Sequence, residues 1–223
     1  SAGFAIILKK KNFLFVDGRY TIQAQIQSSK YFKIVEIPKL LPKDIFKKYN
    51  KKLILGFDPQ IFTNIMLKKF SNFCNLYPIK ENLIDIIHKE RKRNIINSFF
   101  NLNSKITGEK VVSKINRLIK KIKYKNIENI FISAPENVAW LLNLRGKDNP
   151  FSPIPNCKII LTNKKKIFFF SCPLKIHKIK KNKNYKNFNF CEYKEFSKII
   201  NKLPGKNFCI DDSTCSVSNA KII

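Results

Sequence analysis

The sequence predicts an α/β protein built from two consecutive domains, each a mixed β-sheet flanked by helices. Three observations support this. Strand-like and helix-like segments alternate along most of the chain, a strand–basic turn–strand pattern occurs at both 5–16 and 158–170, and a charged, asparagine-containing stretch at 89–105 interrupts the alternation. We therefore expect a first domain over 1–95, a linker over 96–106 and a second domain over 107–223.

The first domain begins with a predicted β-hairpin. Apolar runs at 4–8 and 13–16 flank a turn of lysines and asparagine, which is typical of two paired strands. The other expected elements are a helix over 20–28, a strand over 31–37, a helix over 42–49 opened by a proline, a strand over 53–57, a helix over 61–70, a strand over 75–77 and a helix over 81–88.

The second domain begins with a long amphipathic helix. Thr107 is a suitable cap, and apolar residues recur at helical spacing up to about 123. Ser133–Ala134–Pro135–Glu136 predicts a capping box that opens a helix over 137–142, which Arg145–Gly146 would end. The other expected elements are a strand over 127–132, a hairpin of 157–161 with 167–171, a solvated lysine-rich loop at 175–186, a helix over 192–203 and a strand over 207–211.

The two hairpins resemble each other, each with an apolar strand on either side of a basic turn. A helix, a strand, a capped helix and a loop precede the second hairpin but not the first. If the pattern is a repeat, the first domain lacks its front portion and the sequence is a fragment.

The formal net charge of +29 at pH 7 makes nucleic acid the first partner to consider. The lysines are scattered over nearly every expected loop and helix face, and lysine, isoleucine, asparagine and phenylalanine are abundant together. This favours codon bias over a dedicated basic surface. A basic nucleic-acid-binding module stays as the alternative, and a discrete basic face would favour it.

Cysteine and histidine spacing argues against a structural metal site. The six cysteines form no C-x-x-C pair and the two histidines, His88 and His177, are far apart. We expect reduced, mostly buried thiols. No segment resembles a signal peptide or a membrane span, so the sequence predicts a cytoplasmic protein.

The most informative segment is Phe13–Ala24, an apolar strand followed by Asp17–Gly18–Arg19–Tyr20. Arg19 lies where a strand ends, which is where α/β sheets usually contact ligands. The residues alone favour a structural role, in which Arg19 pairs with Asp17 and fixes the turn.

Five segments resemble the three-domain Xaa-Pro aminopeptidases, and they occur in that family's order. They are Ser1–Ala2–Gly3, Phe15–Tyr20 with Gln23–Ala24, Gly56–Phe57–Asp58–Pro59, Glu81–Asp85 and Ala139–Asp148. The resemblance implies two creatinase N-terminal-like domains, the first truncated at its front, without the pita-bread catalytic domain that follows them.

The resemblance also implies the chemistry of the parent enzyme. In that family the catalytic domain holds two metal ions, usually manganese, and removes the residue that precedes proline at a peptide's N-terminus. No cofactor is expected in this chain, whose partners would be Xaa-Pro peptides bound with the catalytic domain. A membrane or a specific nucleic acid is not expected, and a homodimer of the parent enzyme stays open.

For the site residues, the resemblance implies that Arg19 contacts bound peptide, with Asp17 and Tyr20 as orienting neighbours. Arg145 and Asp148 could line the mouth of the cleft, although the residues favour a local pair between them that closes their loop. Trp140 is expected to pack in the core. An intact, degenerate pseudoenzyme is a third interpretation.

Overall fold

The computed structural model describes residues 3–49, 52–88, 98–149, 151–180 and 185–223, without the side chain of Lys178. The chain divides into two compact units. Unit 1 comprises Ser1–Phe57 and Met66–Ile79, and unit 2 comprises Asp58–Ile65 and Lys80–Ile223. The linker proposed over 96–106 begins outside the described residues, and the predicted domain boundary stays a prediction.

Unit 1 contains the predicted hairpin and extends it by one strand. Strands β1 (Gly3–Ile7) and β2 (Asn12–Asp17) pair antiparallel. Helix α1 (Thr21–Gln27) connects β2 to β3 (Phe32–Ile37), and these two strands pair parallel. The next elements of unit 1 are α2 (Pro42–Lys47), β4 (Ile54–Phe57), most of α3 (Asn64–Ser71) and β5 (Asn75–Pro78), which is parallel to β4. Helix α4 (Leu83–Ile87) belongs to unit 2.

An aromatic cluster forms the core of unit 1. Phe15 and Phe46 are completely buried. The Phe70 ring lies edge-on to that of Phe46, with 5.5 Å between centroids, and stacks on Phe4 at 5.8 Å. These ring contacts join β1, α2 and α3.

Unit 2 is organised around a five-stranded mixed sheet in the order β11-β10-β9-β7-β12, in which only β9 runs against its neighbours. Its elements are β6 (Phe100–Asn101), α5 (Ser104–Thr107), α6 (Val111–Tyr124), β7 (Asn129–Ile132), α7 (Pro135–Leu142), β8 (Leu144–Arg145), β9 (Lys158–Thr162), β10 (Ile167–Phe170), α8 (Pro173–Ile179), β11 (Phe188–Cys191), α9 (Phe196–Lys202), β12 (Phe208–Cys209) and α10 (Val217–Ile222).

Helices cover both faces of this sheet. Successive strand side chains point to opposite faces, so Ile159 and Phe169 pack towards α6, α7 and α8, whereas Ile160 and Phe170 pack towards α9 and α10. The predicted mixed α/β architecture is confirmed.

The resemblance between the two hairpins extends to their topology. In β1-β2-α1-β3 and again in β9-β10-α8-β11, a hairpin is followed by a helix and by a strand parallel to its second strand. The turn after β2 and the turn after β10 are therefore equivalent positions of one motif.

Two predicted helix caps are wrong. Thr107 ends the short α5, because Gly108 adopts a left-handed conformation with a φ of 76°, and α6 begins only at Val111. Ser133 does not cap α7, since its hydroxyl lies 2.8 Å from that of Thr214. The helix instead begins directly at Pro135.

Other differences also arise from tertiary contacts. Helix α7 ends at the left-handed Asn143, before the predicted Arg145–Gly146. The first part of the lysine-rich stretch predicted as a solvated loop, residues 175–179, belongs to α8, in which Lys175 is buried. Residues 181–184 lie outside the described part. Strand β11 and helix α10 were not predicted.

All six cysteines are free thiols, and four of them are buried, as predicted. Burial raises the pKa of the Cys191 and Cys215 thiols to about 11. These thiols are therefore protonated at neutral pH and behave as small apolar side chains.

Candidate functional site

The candidate site is the turn that follows β2. The strand runs parallel to β3 up to the pair Asp17–Ile37, and a single 3-10 turn, Gly18–Tyr20, then leads into α1. The Asp17 carboxylate caps this turn by accepting a hydrogen bond from the backbone N–H of Arg19 at 3.0 Å. The sequence fixes this local geometry, because a short acidic side chain bonds readily to a backbone N–H two residues ahead.

The Arg19 side chain folds back onto the same carboxylate. Its Nε donates to Asp17 Oδ1 at 2.8 Å and its Nη2 to Oδ2 at 3.4 Å. The hydrogen bond from the Arg19 side chain, followed by that from its backbone, lowers the pKa of Asp17 below 3.8, while the pair raises the pKa of Arg19. The structural role that the residues alone favoured is thus confirmed.

This pairing leaves the guanidinium available to solvent. The Arg19 side chain is 78% exposed, and its Nη1 makes no hydrogen bond within the described residues. The Tyr20 ring, whose centroid lies 5.9 Å from Arg19 Cζ, flanks the guanidinium. Asp17, Arg19 and Tyr20 therefore form one exposed group that offers free N–H donors beside an aromatic ring.

Arg145 and Asp148 do not join each other, and the predicted local pair is wrong. Arg145 Nη1 donates to the carbonyls of Ala139 and Leu144 at 3.0 and 2.8 Å, at the end of α7. A cation suits this position because carbonyl oxygens concentrate negative potential at a helix C-terminus.

Asp148 instead pairs with the buried Lys175 of α8. It also accepts a hydrogen bond from the backbone N–H of Asn156 at 2.7 Å. Asp148 thereby links the backbone at Asn156 to helix α8. Nothing in these contacts tests whether Arg145 and Asp148 line a cleft, which stays a prediction.

Trp140 lies at the surface, and the prediction that it packs in the core is wrong. It is 54% exposed. Lys114 Nζ lies 4.5 Å from the ring centroid and Arg117 Cζ lies 5.8 Å from it. The ring is therefore a surface group in contact with cations of α6, although it also borders the apolar side chains of Leu118 and Ile132.

Lys114 is a buried residue that the sequence reasoning missed. Its ammonium donates to the Trp140 carbonyl and to Asn143 Oδ1, both at 2.7 Å, and desolvation lowers its pKa. One signal was available, because position 114 falls on the apolar face of the helix between Val111 and Leu118.

No described residues fit a metal centre. Within the part of the chain that the structure describes, no group of three or more histidine, cysteine, aspartate or glutamate side chains could hold an ion. A separate search of the same residues found no helix with the length and apolar character needed to cross a membrane.

The fold and the exposed turn define a mixed α/β module that presents the ion-paired Arg19 just after the end of strand β2. The chain belongs to the Creatinase/Prolidase N-terminal domain family, whose profile matches residues 90–223. The predicted resemblance is thereby confirmed.

Two curated relatives illustrate this membership. The probable Xaa-Pro aminopeptidase P of Laccaria bicolor is 34% identical over 182 residues, which cover 76% of this chain and 28% of the relative. The Xaa-Pro aminopeptidase ApepP of Drosophila melanogaster is 30% identical over 182 residues, which cover 76% of this chain and 29% of the Drosophila protein. The chain thus spans less than a third of the length of these relatives.

A solved structure shares the fold. The X-prolyl aminopeptidase from Caenorhabditis elegans, described as a cytosolic enzyme with a di-nuclear active site, superposes with a TM-score of 0.77 at 22% identity. The match covers 98% of this chain and 41% of that enzyme.

Proposed function

We propose that this chain is the non-catalytic amino-terminal part of a metal-dependent Xaa-Pro aminopeptidase and that Arg19 contacts the bound peptide. Family membership and the relatives' names support the enzyme class. The catalytic metal ions, two manganese ions by resemblance, would be held by polypeptide outside this sequence.

The observation that best supports the proposed peptide contact is the geometry of the Arg19 side chain. Asp17 holds the guanidinium through two hydrogen bonds, so fewer rotamers are lost when a ligand binds. Because the same carboxylate already neutralises the charge, the group that fits the free Nη1 best is an uncharged peptide carbonyl. Tyr20 supplies an apolar surface beside it.

The absence of catalysis is tested by a hydrolysis assay. The purified 223-residue chain is incubated with an Xaa-Pro tripeptide and added manganese, and release of the first residue is followed. We expect no turnover above a mock preparation from the same host. Turnover that co-purifies with the chain would reject the proposal, and would instead support an intact enzyme.

The pseudoenzyme interpretation is tested by sequencing the transcript beyond the codon for Ile223. We expect an open reading frame that encodes the two aspartates, one histidine and two glutamates of the family's metal centre. A continuation in which these ligands are replaced would contradict the proposal and identify a degenerate enzyme.

The peptide contact is tested by substitution. Arg19→Gln should weaken binding of an Ala-Pro-Ala peptide to the chain, measured by calorimetry. Arg117→Gln is the matched control, because Arg117 is also exposed and paired with a carboxylate, that of Glu109 at 2.8 Å. Equal affinities for all three proteins would contradict a contact at Arg19.

A second candidate, binding of nucleic acid, has one observation in its favour. Helix α6 contains no acidic residue and exposes Arg117, Lys120, Lys121 and Lys123, and Trp140 lies beside Arg117. This is a discrete basic face with an aromatic ring, the combination that binds single strands.

Trp140 is the only tryptophan of the chain, so its fluorescence reports directly on that face. Quenching by a single-stranded oligonucleotide that persists at physiological salt and depends on base sequence would favour this candidate. Quenching that is insensitive to sequence and lost as salt rises would reflect the net charge alone.

A further inference from the structure

A cavity with a mixed apolar and polar lining lies in unit 2, where β10 and β11 end and β9 begins. Its volume is about 570 Å³. The adjacent ends of parallel strands are the usual position of ligands in α/β sheets. Its lining includes Lys158, Phe170, Tyr193, Lys194, Phe196 and Ser218.

The distinctive group in this cavity is the ammonium of Lys158. The residue is only partly exposed, and desolvation lowers its pKa. Among the described residues the ammonium has no hydrogen-bond or ion-pair partner, and its Nζ lies 5.8 Å from the centroid of the Tyr193 ring.

Two further lysines within the described residues are withdrawn from solvent, and the ammonium groups of both have partners. Lys114 donates to two oxygens, and Lys175 pairs with Asp148. Buried charges are normally paired, because an unpaired one loses hydration without compensation. Lys158 therefore departs from the pattern that the rest of unit 2 follows.

The remaining walls of the cavity restrict the ligand. Lys194 is already paired with Glu192 at 2.8 Å, so one positive charge is unpaired. A single charge matches a monoanion better than a dianionic phosphate. Phe170, Phe196 and Ile222 supply an apolar surface, and Ser197 and Ser218 add hydroxyl groups.

We propose that this cavity binds a monocarboxylate with an apolar or aromatic body, such as an acylated hydrophobic amino acid or the carboxyl end of a peptide, and that the Lys158 ammonium binds the carboxylate. The lining residues on which the proposal rests belong to unit 2, and the proposal does not depend on peptidase activity.

Calorimetry at low ionic strength tests the site with the whole chain. N-acetyl-L-phenylalanine should bind, its primary amide should bind about tenfold more weakly or not at all, and inorganic phosphate should not compete. The acetylated peptide Gly-Gly-Phe distinguishes a free acylated amino acid from the carboxyl end of a peptide. It should bind as tightly as N-acetyl-L-phenylalanine only if the site accepts a peptide end.

The lysine is tested by Lys158→Met, which keeps the length of the side chain and removes its charge. We expect affinity for N-acetyl-L-phenylalanine to fall about tenfold, with no change in the control Lys164→Met, an exposed turn lysine between β9 and β10. Circular dichroism checks that both variants fold.

Three results would overturn the proposal: no binding of the carboxylate to the native chain, equal binding of the carboxylate and its amide, or equal affinity in the Lys158→Met variant. Comparing acid and amide on the native chain keeps the test decisive even if the variant does not fold.

Discussion

The turn after β2 and the turn after β10 occupy the same position in two copies of one β-β-α-β motif, yet they hold their ion pairs differently. The first carries Asp17–Arg19, whose side chains are 43% and 78% exposed. The second leads into α8, whose Lys175 pairs with Asp148, with side chains 7% and 17% exposed. The same motif thus carries an exposed ion pair in unit 1 and takes part in a buried ion pair in unit 2.

The physical consequence follows from solvation. An exposed pair is screened by water and contributes little to stability, so its groups can be used for binding. A buried pair that loses one partner leaves an unsolvated charge. We therefore expect substitutions at the two turns to differ in stability much more than their similar chemistry suggests.

The largest expected effect is that of Asp148→Asn. It leaves Lys175 buried without a counter-charge, and the free energy of unfolding should fall by about 3–5 kcal/mol. Urea denaturation measures the loss. Glu192→Gln, which breaks the more exposed pair with Lys194, serves as the control and should have little effect. A loss in Asp148→Asn no larger than that of the control would contradict the comparison.

The loop that carries Asp148 is sensitive to a smaller change at Gly146. A Cβ there would lie 2.8 Å from the Cα of Pro155, and Gly146 N–H donates to the Pro153 carbonyl at 3.0 Å. Gly146→Ala should therefore cost about 1–3 kcal/mol of unfolding free energy. Gly3→Ala, whose Cβ would meet its nearest atom at 3.6 Å, should be close to neutral in the same urea titration.

Lys114→Met should remove about 1–3 kcal/mol, because the Trp140 carbonyl and Asn143 Oδ1 lose their donor. The fluorescence of Trp140 should shift as well, since the cation over its ring is lost. Lys120→Met, on the exposed face of the same helix, is the control. A variant as stable as the control would show that these two hydrogen bonds are replaced by water without cost.

The smallest effect on stability is expected at Arg19→Ala, whose urea midpoint should match that of the native chain. The pKa of Asp17 should nevertheless rise towards 3.8, because the largest cause of its depression is the side chain removed. The small contribution of this exposed ion pair to the free energy of unfolding is present above pH 3.8 and is lost as the pH falls through the lowered pKa of Asp17. NMR titration of the Asp17 carboxyl carbon checks this, and an unchanged pKa would contradict the pairing.

The sequence was sufficient where local signals decide the structure. Both hairpins follow from apolar runs around basic turns. The Asp17 cap follows from a short acidic side chain at the end of an apolar strand, where it can accept a hydrogen bond from the backbone N–H of Arg19. The turn that carries Arg19, Asp17 and Tyr20 was therefore predictable as a single exposed unit.

The failures concern residues whose roles depend on distant partners. Ser133 bonds to Thr214 rather than capping α7, and Lys175 is buried because Asp148 reaches it from 27 positions away. Trp140 is half-exposed and contacts the cations Lys114 and Arg117 of α6. No local pattern specifies such contacts, which form only when the sheet and its helices assemble.

The central claim, that Arg19 presents a guanidinium to a peptide, is tested most directly by NMR of the arginine side chains. The chain has five arginines, and Arg19→Lys assigns the Arg19 Nε–Hε signal. On titration with Ala-Pro-Ala, we expect this signal to shift in a saturable manner while that of Arg117 stays in place. An Arg19 signal that remains unchanged at peptide saturation, or that shifts only as Arg117 does, would contradict the account.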